Sequence, residues 1–393
     1  MKIPIVASAA LLALAATAAA QDQQLGARTK AMGGSYTAFE DDPVSIWLNP
    51  AGISTQPDQL SIAYQTYTAY PKGRERGPGD TVNFTVKPST IMGDPALLPS
   101  YIGFVFQLGD SLALGICYAQ PYILDYAMDQ VKDPNQPQFV PEAEVQQVFG
   151  RFRASIAKDF RIHEAGTEGF FNHISAGVSI DGGYQRWHFS GLGEDTTNSN
   201  VAMGYGAGLL VGLYDDYSSF KWNLGVAYTS AIHYNFQVSP TILPAFDMPQ
   251  QLNVGMTFYL LQGTPLRITV DFQWIDWSST AQAPLYANFK GFQDAKNYSM
   301  GVEYRIKIGD GKVSLYPRAG YRRFDAPWAD KNDLPMAGPF RLVLDTKGEA
   351  FNLVTYGIGI SWMTDTQKVR SVDLAGDAGG DAINFAIGLT MEF

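Results

Sequence analysis

The chain has little of what soluble enzymes and nucleic-acid binders usually carry. It holds one cysteine, Cys117, in 393 residues. That excludes an internal disulfide framework and any multi-cysteine metal site. Charged residues make up 17%, against roughly 25% in an ordinary soluble domain. Basic residues are outnumbered 28 to 38, for a formal net charge of −10. No basic footprint for nucleic acid is present. His163, His173, His188 and His233 lack metal-ligand spacing. No GxSxG elbow or Walker loop occurs. These gaps argue against an enzyme, and no metal or cofactor site is expected. Beyond the first twenty residues, no apolar run approaches the ~20 residues of a membrane-spanning helix.

What is abundant is glycine, 39 residues, and aromatic side chains, 13%. Average glycine usage is roughly 7%. Low charge with many glycines and aromatics favours β-structure with much of its surface out of water.

Residues 1–20 read as a secretory signal. Lys2 supplies the positive start, Ile3 to Ala16 the apolar stretch and Ala18-Ala19-Ala20 the small-residue cleavage site. A membrane anchor is the alternative, but the apolar stretch is short for it.

From about Gln59 the apolar residues recur with period two, the strand period. Ile383, Phe385, Ile387, Leu389, Met391 and Phe393 alternate with Asn384, Ala386, Gly388, Thr390 and Glu392. Leu252 to Leu260, Leu266 to Trp274 and Tyr298 to Ile306 behave alike. A soluble β-sandwich would alternate in the same way. Three features favour a membrane barrel. Aromatics gather at strand ends, among them Tyr101, Tyr118, Trp187, Tyr214, Trp274, Trp277 and Trp362, as interfacial girdles require. The polar face is rich in small residues, such as Gly204, Gly206, Gly208 and Gly212, which leave room in a lumen. Short links alternate with long ones, near 71–99, 120–144, 188–199, 235–249, 278–296 and 325–349. Short turns on one side and long loops on the other is the outer-membrane pattern. The expectation is an all-β, antiparallel transmembrane barrel of about 14 strands over 59–393. Gly182-Gly183 and Pro317 are candidate kinks, with lumen-side packing the equal alternative for the glycines. The terminal Phe393 resembles the signal read by the barrel-assembly machinery.

Residues 21–58 do not alternate. Asp42 followed by Pro43, and Asn49 followed by Pro50, can each start a helical turn. Gly33-Gly34 allows close packing or positive φ. The strings Gly-Ala-Arg-x-Lys-Ala-Met-Gly-Gly (Gly26 to Gly34), Asp41-Asp42-Pro43 and Trp47-Leu48-Asn49-Pro50-Ala51-Gly52 resemble the N-terminal hatch of the FadL outer-membrane transporter family. PorV/PorQ barrels of type IX secretion carry a similar opening. The resemblance implies a monomeric fourteen-stranded barrel in the outer membrane, plugged by residues 21–58. It implies passive uptake of long-chain fatty acids or other hydrophobic molecules, through an interior pocket and a gap in the wall. Gly33, Gly34, Asp42, Asn49, Pro50, Ala51 and Gly52 would belong to the hatch.

The long loops carry apolar residues suited to substrate capture or to a lid: Leu97, Leu98, Ile242, Leu243, Phe246 and Met248. Alternation turns Arg151, Arg153, Arg267, Arg305, Arg318 and Arg322 to the lumen. Arg151, Arg153, Arg318 and Arg322 are candidates to hold a carboxylate head group. The alternative is an internal ion-pair network with Asp271, Glu303, Glu40, Asp41 and Asp42. Cys117 is expected to be a packed inward residue. The expected partners are a hydrophobic small molecule, the bilayer and the assembly machinery, not nucleic acid. A protein-docking scaffold of the PorV type is the second reading.

Overall fold

The computed structural model describes residues 25–65, 84–85, 99–128, 143–163, 169–191, 194–216, 219–234, 245–260, 266–282, 293–325, 350–379 and 382–393. The expected export signal, Leu97, Leu98, Ile242 and Leu243 lie outside them.

Side-chain placement along the strands is inverted relative to a soluble protein. In one strand Arg151, Arg153, Ser155 and Asp159 are buried, while Phe152, Ile156 and Phe160 are exposed. Val178, Ile180, Met203, Tyr205, Val354, Ile358, Phe385 and Ile387 are exposed in the same way. An apolar belt around a polar interior is the arrangement a bilayer requires. No described helix is long and apolar enough to cross a membrane. This is the side-chain arrangement of a membrane-spanning barrel.

Fourteen antiparallel strands close the ring. They are β1 (Gln59–Gln65), β2 (Tyr101–Gly109), β3 (Leu112–Met128), β4 (Ala143–Arg161), β5 (Gly169–Gly191), β6 (Glu194–Asp215) and β7 (Phe220–Thr229). After these come β8 (Gln251–Leu260), β9 (Leu266–Ile275), β10 (Ala295–Tyr304, resuming at Ile306–Ile308), β11 (Val313–Phe324), β12 (Phe351–Met363), β13 (Val369–Gly379) and β14 (Ala382–Glu392). Closure is by β1 against β14, with Gln59 opposite Glu392 and Gln65 opposite Ala386. The Phe393 N–H donates to the Asp58 carbonyl at 3.1 Å. Both ends of the ring therefore meet on the short-turn side. The turn Gly309-Asp310-Gly311 reverses tightly because both glycines take positive φ, 60° and 82°.

Several sequence expectations need correction. Within the expected loops 120–144 and 188–199, residues 120–128, 143–144, 188–191 and 194–199 are strand. β3 continues to Met128, β4 starts at Ala143, and Gly191 pairs with Glu194. β5 and β6 run 23 and 22 residues, about twice the 9–11 that cross a bilayer. Gly182 and Gly183 keep unbroken register with both neighbours. Pro317 does coincide with a break, where β10 is interrupted opposite it, because proline has no N–H to donate. The clearest irregularity lies elsewhere, where Gln120-Pro121 bulges opposite Gly150. Tyr101 and Trp277 are not girdle residues but are buried within. Tyr101 faces Ala63 and Ala119 across the ladder, whose small side chains leave it inward space.

Residues 25–58 lie inside the ring. α1 (Ala27–Ala31) touches β12, β13 and β14, while a 3₁₀ turn (Pro50–Ile53) touches β4, β5 and β6. The segment thus reaches nearly opposite walls. α2 (Ser45–Leu48) lies between them, against β3 and β4.

Candidate functional site: the barrel lumen

The segment is seated by close backbone approach. Gly33 and Gly34 take positive φ, 70° and 86°. A Cβ on Gly33 would come 2.7 Å from the Tyr321 carbonyl oxygen and 2.8 Å from that of Met300. Asp42 Oδ1 accepts from the Val44 N–H at 2.9 Å, ahead of α2. Asn49 is fully buried. Its Nδ2 donates to the Thr37 carbonyl at 2.7 Å and to the Leu209 carbonyl at 3.1 Å. Its Oδ1 accepts from the Ala51 N–H at 3.1 Å, and Pro50 opens the 3₁₀ turn. Pro50 and Ala51 rest over Gly177. Gly52 passes the Phe39 carbonyl where no side chain fits.

Wall and segment are joined by charge. Arg28 donates to Glu303 at 2.9 Å and to Asp41 at 3.2 Å. Arg267 reaches Asp41 at 2.9 Å. Lys30 pairs with Asp377 and Lys221 with Glu40. Asp271 is held by neutral donors of the segment. It accepts from Ser35, from the Tyr36 N–H and from both the N–H and hydroxyl of Thr37, between 2.7 and 3.0 Å.

The four arginines named from sequence are all buried and inward. Arg318 meets Glu303 at 2.6 Å and Asp373 at 2.5 Å. Arg151 and Arg153 share one carboxylate, Asp181, at 2.5 and 2.7 Å. Their guanidiniums also stand over the Trp47 ring, 5.6 and 5.2 Å from its centroid. Arg153 further donates to the Trp47 carbonyl at 2.6 Å. Arg322 donates to Gln273 at 3.3 Å. The sequence pattern anticipates Glu303 as a partner but misses Asp181, Asp373 and Asp377. All three sit at inward positions of the alternation, and that parity could have found them.

Above this floor the lumen is layered. Asn253, Gln273, Asn297 and Arg322 form a polar tier. Together with Thr29, Gly34, Thr37, Trp47 and Leu48 they line a cavity of about 30 Å³, enough for water. One inward position higher, toward the long-loop side, the lining turns apolar. Phe149, Ile232, Tyr234, Met248, Ile275, Trp277 and Ala295 form one buried cluster, with Ala202 and Phe351 against it. Met248, expected on a capture loop, belongs to this cluster. Phe246 pairs through its backbone with Ala281.

No protein-family model matches the sequence, and no curated protein does. Solved structures do match in shape. The toluene transporter TbuX of Ralstonia pickettii superposes with a TM-score of 0.58 at 14% identity, covering 94% of this chain and 98% of that one. The toluene transporter TodX of P. putida gives 0.54 at 14%, over 94% and 98%. A Pseudomonas aeruginosa FadL homologue also gives 0.54 at 14%, over 94% and 98%. The chain has the fold of the FadL-type outer-membrane channels. In this barrel the interior segment fills the lower lumen, and the apolar tier lies above it.

Proposed function

We propose that the protein is a passive channel for uptake of hydrophobic molecules across the outer membrane, with residues 21–58 as its hatch. The observation that carries this reading is the buried apolar cluster at the long-loop end of the lumen, directly above a polar tier and a plugged floor. A barrel of this size leaves an aqueous pore unless filled, and water is a poor path for an apolar solute. The cluster supplies the apolar surface instead.

Two substrate classes fit, hydrocarbons and long-chain fatty acids. The second is supported by placement of charge. Arg151 lies one inward position below Phe149, and Arg322 one below Phe324. Two guanidiniums share Asp181, which leaves positive charge for a carboxylate. Exit is assigned to the side, at the Gln120-Pro121 bulge opposite Gly150. The strand ending at Phe393 is assigned to recognition by the assembly machinery, and the barrel acts as a monomer.

The test is native mass spectrometry of the barrel in mild detergent, with extraction of bound lipid. A stoichiometric hydrocarbon or fatty acid released only on unfolding supports uptake and names the class. An empty barrel that retains a protein instead would favour the docking-scaffold reading.

A further inference from the structure

Two short stretches, 230–234 and 247–248, fold inward over the apolar cluster, with Trp277 and Thr280 beside them. β7 ends at Thr229, and Ser230 fixes the departure. Its N–H donates to the Tyr205 carbonyl at 2.8 Å and its hydroxyl accepts from the Tyr205 N–H at 2.9 Å. The chain then leaves the wall. Ile232 and Met248 exchange both backbone hydrogen bonds, at 3.0 and 3.1 Å. They sit beside Tyr234 in the cluster. Under Ile232 the wall is bare. A Cβ on Gly183 would stand 2.9 Å from the Ile232 side chain, and one on Gly204 2.8 Å. Glycines on two neighbouring strands therefore give the Ile232 stretch a flat seat without interlocking side chains.

One residue ties the stretches together. Asp247 Oδ1 accepts from the Tyr234 N–H at 2.8 Å, and its Oδ2 meets His233 Nδ1 at 2.7 Å. Its own N–H reaches the Thr280 carbonyl at 3.4 Å, and the Thr280 hydroxyl donates to the Trp277 carbonyl at 2.8 Å. Asp247 is 2% exposed and its partner His233 67%. The clamp thus has one side in the protein and one in water. The underside it holds down is apolar and fills the space a hydrophobic ligand would need.

We propose that residues 230–234 and 247–248 are an inner lid, and that Asp247 is the residue that holds it shut until a hydrophobic ligand displaces Ile232 and Met248 from the cluster. This rests on the uptake reading for what the lid admits, but not for whether it opens.

The experiment separates the two. Ile275, buried beneath the lid, is changed to Cys in a Cys117→Ala background of the full chain. Its reaction with N-ethylmaleimide is timed. The control is Leu210→Cys, beside Ala38 and Ala51 on the floor. Losing two hydrogen bonds to a carboxylate is expected to speed labelling of the Ile275→Cys site about tenfold or more in Asp247→Ala. Asp247→Asn, which keeps an acceptor for Tyr234, falls between. The Leu210→Cys site stays slow in both. Unchanged labelling under the lid in Asp247→Ala overturns the proposal. So does equal acceleration at both sites, which would mean general loosening. Uptake of radiolabelled toluene and of radiolabelled oleate is then measured in cells carrying each protein. Faster labelling with no uptake of either probe in parent or variant would keep the lid and remove the uptake reading.

Discussion

Asn49 of the interior segment and Gly208 of the wall are fitted to one another. The Asn49 amide lies where a side chain on Gly208 would be, and its Nδ2 bonds the neighbouring Leu209 carbonyl. The missing Cβ on β6 is what lets the Asn-Pro-Ala turn come down onto the wall. Gly208→Val should lift the 3₁₀ turn from its seat. Overpacking of this kind costs about 1–3 kcal/mol. The readout is ion conductance in planar bilayers, where the variant should leak and the parent should not. A silent variant with unchanged melting would mean the seat is not needed.

The pair of guanidiniums on Asp181 gives a second expectation. Asp181 is fully buried, with Arg151 and Arg153 at 2% and 1% exposure. Asp181→Asn leaves two buried cations without a carboxylate. Breaking a buried pair costs about 3–5 kcal/mol, so thermal unfolding in detergent should drop by many degrees. Arg151→Met in the same chain should restore part of the loss, since one positive charge then remains to be solvated. A double variant no more stable than Asp181→Asn alone would argue against shared neutralisation.

Acid should loosen the hatch. Burial works against ionisation of Glu40, yet Lys221 and His173 outweigh it and hold the carboxyl below its ordinary 4.5. Burial opposes ionisation of Asp41 too, and Arg267 and Arg28 hold it below 3.8. A depressed carboxylate stabilises the folded state above its unfolded value, and that contribution is lost as pH falls through the folded value. Asp42 runs the other way. Burial lifts it above 3.8, so protonation there relieves a cost. Two of these three carboxylates thus lose stabilisation on acidification and one gains it. Protease cleavage within residues 25–58 should therefore accelerate below the ordinary carboxylate range while the strands stay intact. Equal resistance at acid and neutral pH would show that backbone seating alone holds the segment.

Much of this was legible in the alternation. Period two marks inside and outside, so the inward arginines, Cys117 and the small residues of the lumen follow from parity alone. The weakly patterned stretches near Ile62 and Val372 also form strands, β1 and β13. Parity does not say where a strand stops. The 188–199 stretch is polar enough to pass for a loop, yet its backbone pairs across Gly191 and Glu194 because a ladder needs no apolar side chains once it stands beyond the bilayer. Nor does parity choose partners. Whether Arg151 meets Asp181 depends on register between β4 and β5, which no local pattern fixes. Tyr101 and Trp277 look like girdle residues by position in the chain, but facing alanines in one case and a loop junction in the other turn them inward.

The assigned exit makes a prediction about timing. At the Gln120-Pro121 bulge the β3–β4 register shifts, and Gly150 leaves the opposite strand thin, with the Tyr118 ring beside it. A bulge locally breaks the ladder and bends the strand, and here it adjoins Phe149 of the apolar cluster. A ligand in the cluster is therefore one strand thickness from lipid. Gly150→Trp would fill that thin place from the outside without touching the lid or the floor. Binding should survive and release should slow. Native mass spectrometry should show the ligand retained at parent stoichiometry, while uptake of the same compound by cells falls about tenfold, the change expected for a barrier raised by ~1.4 kcal/mol. Unchanged uptake with Gly150→Trp would move the exit away from this bulge. The interruption opposite Pro317 on β11 would be the next place in the wall to block.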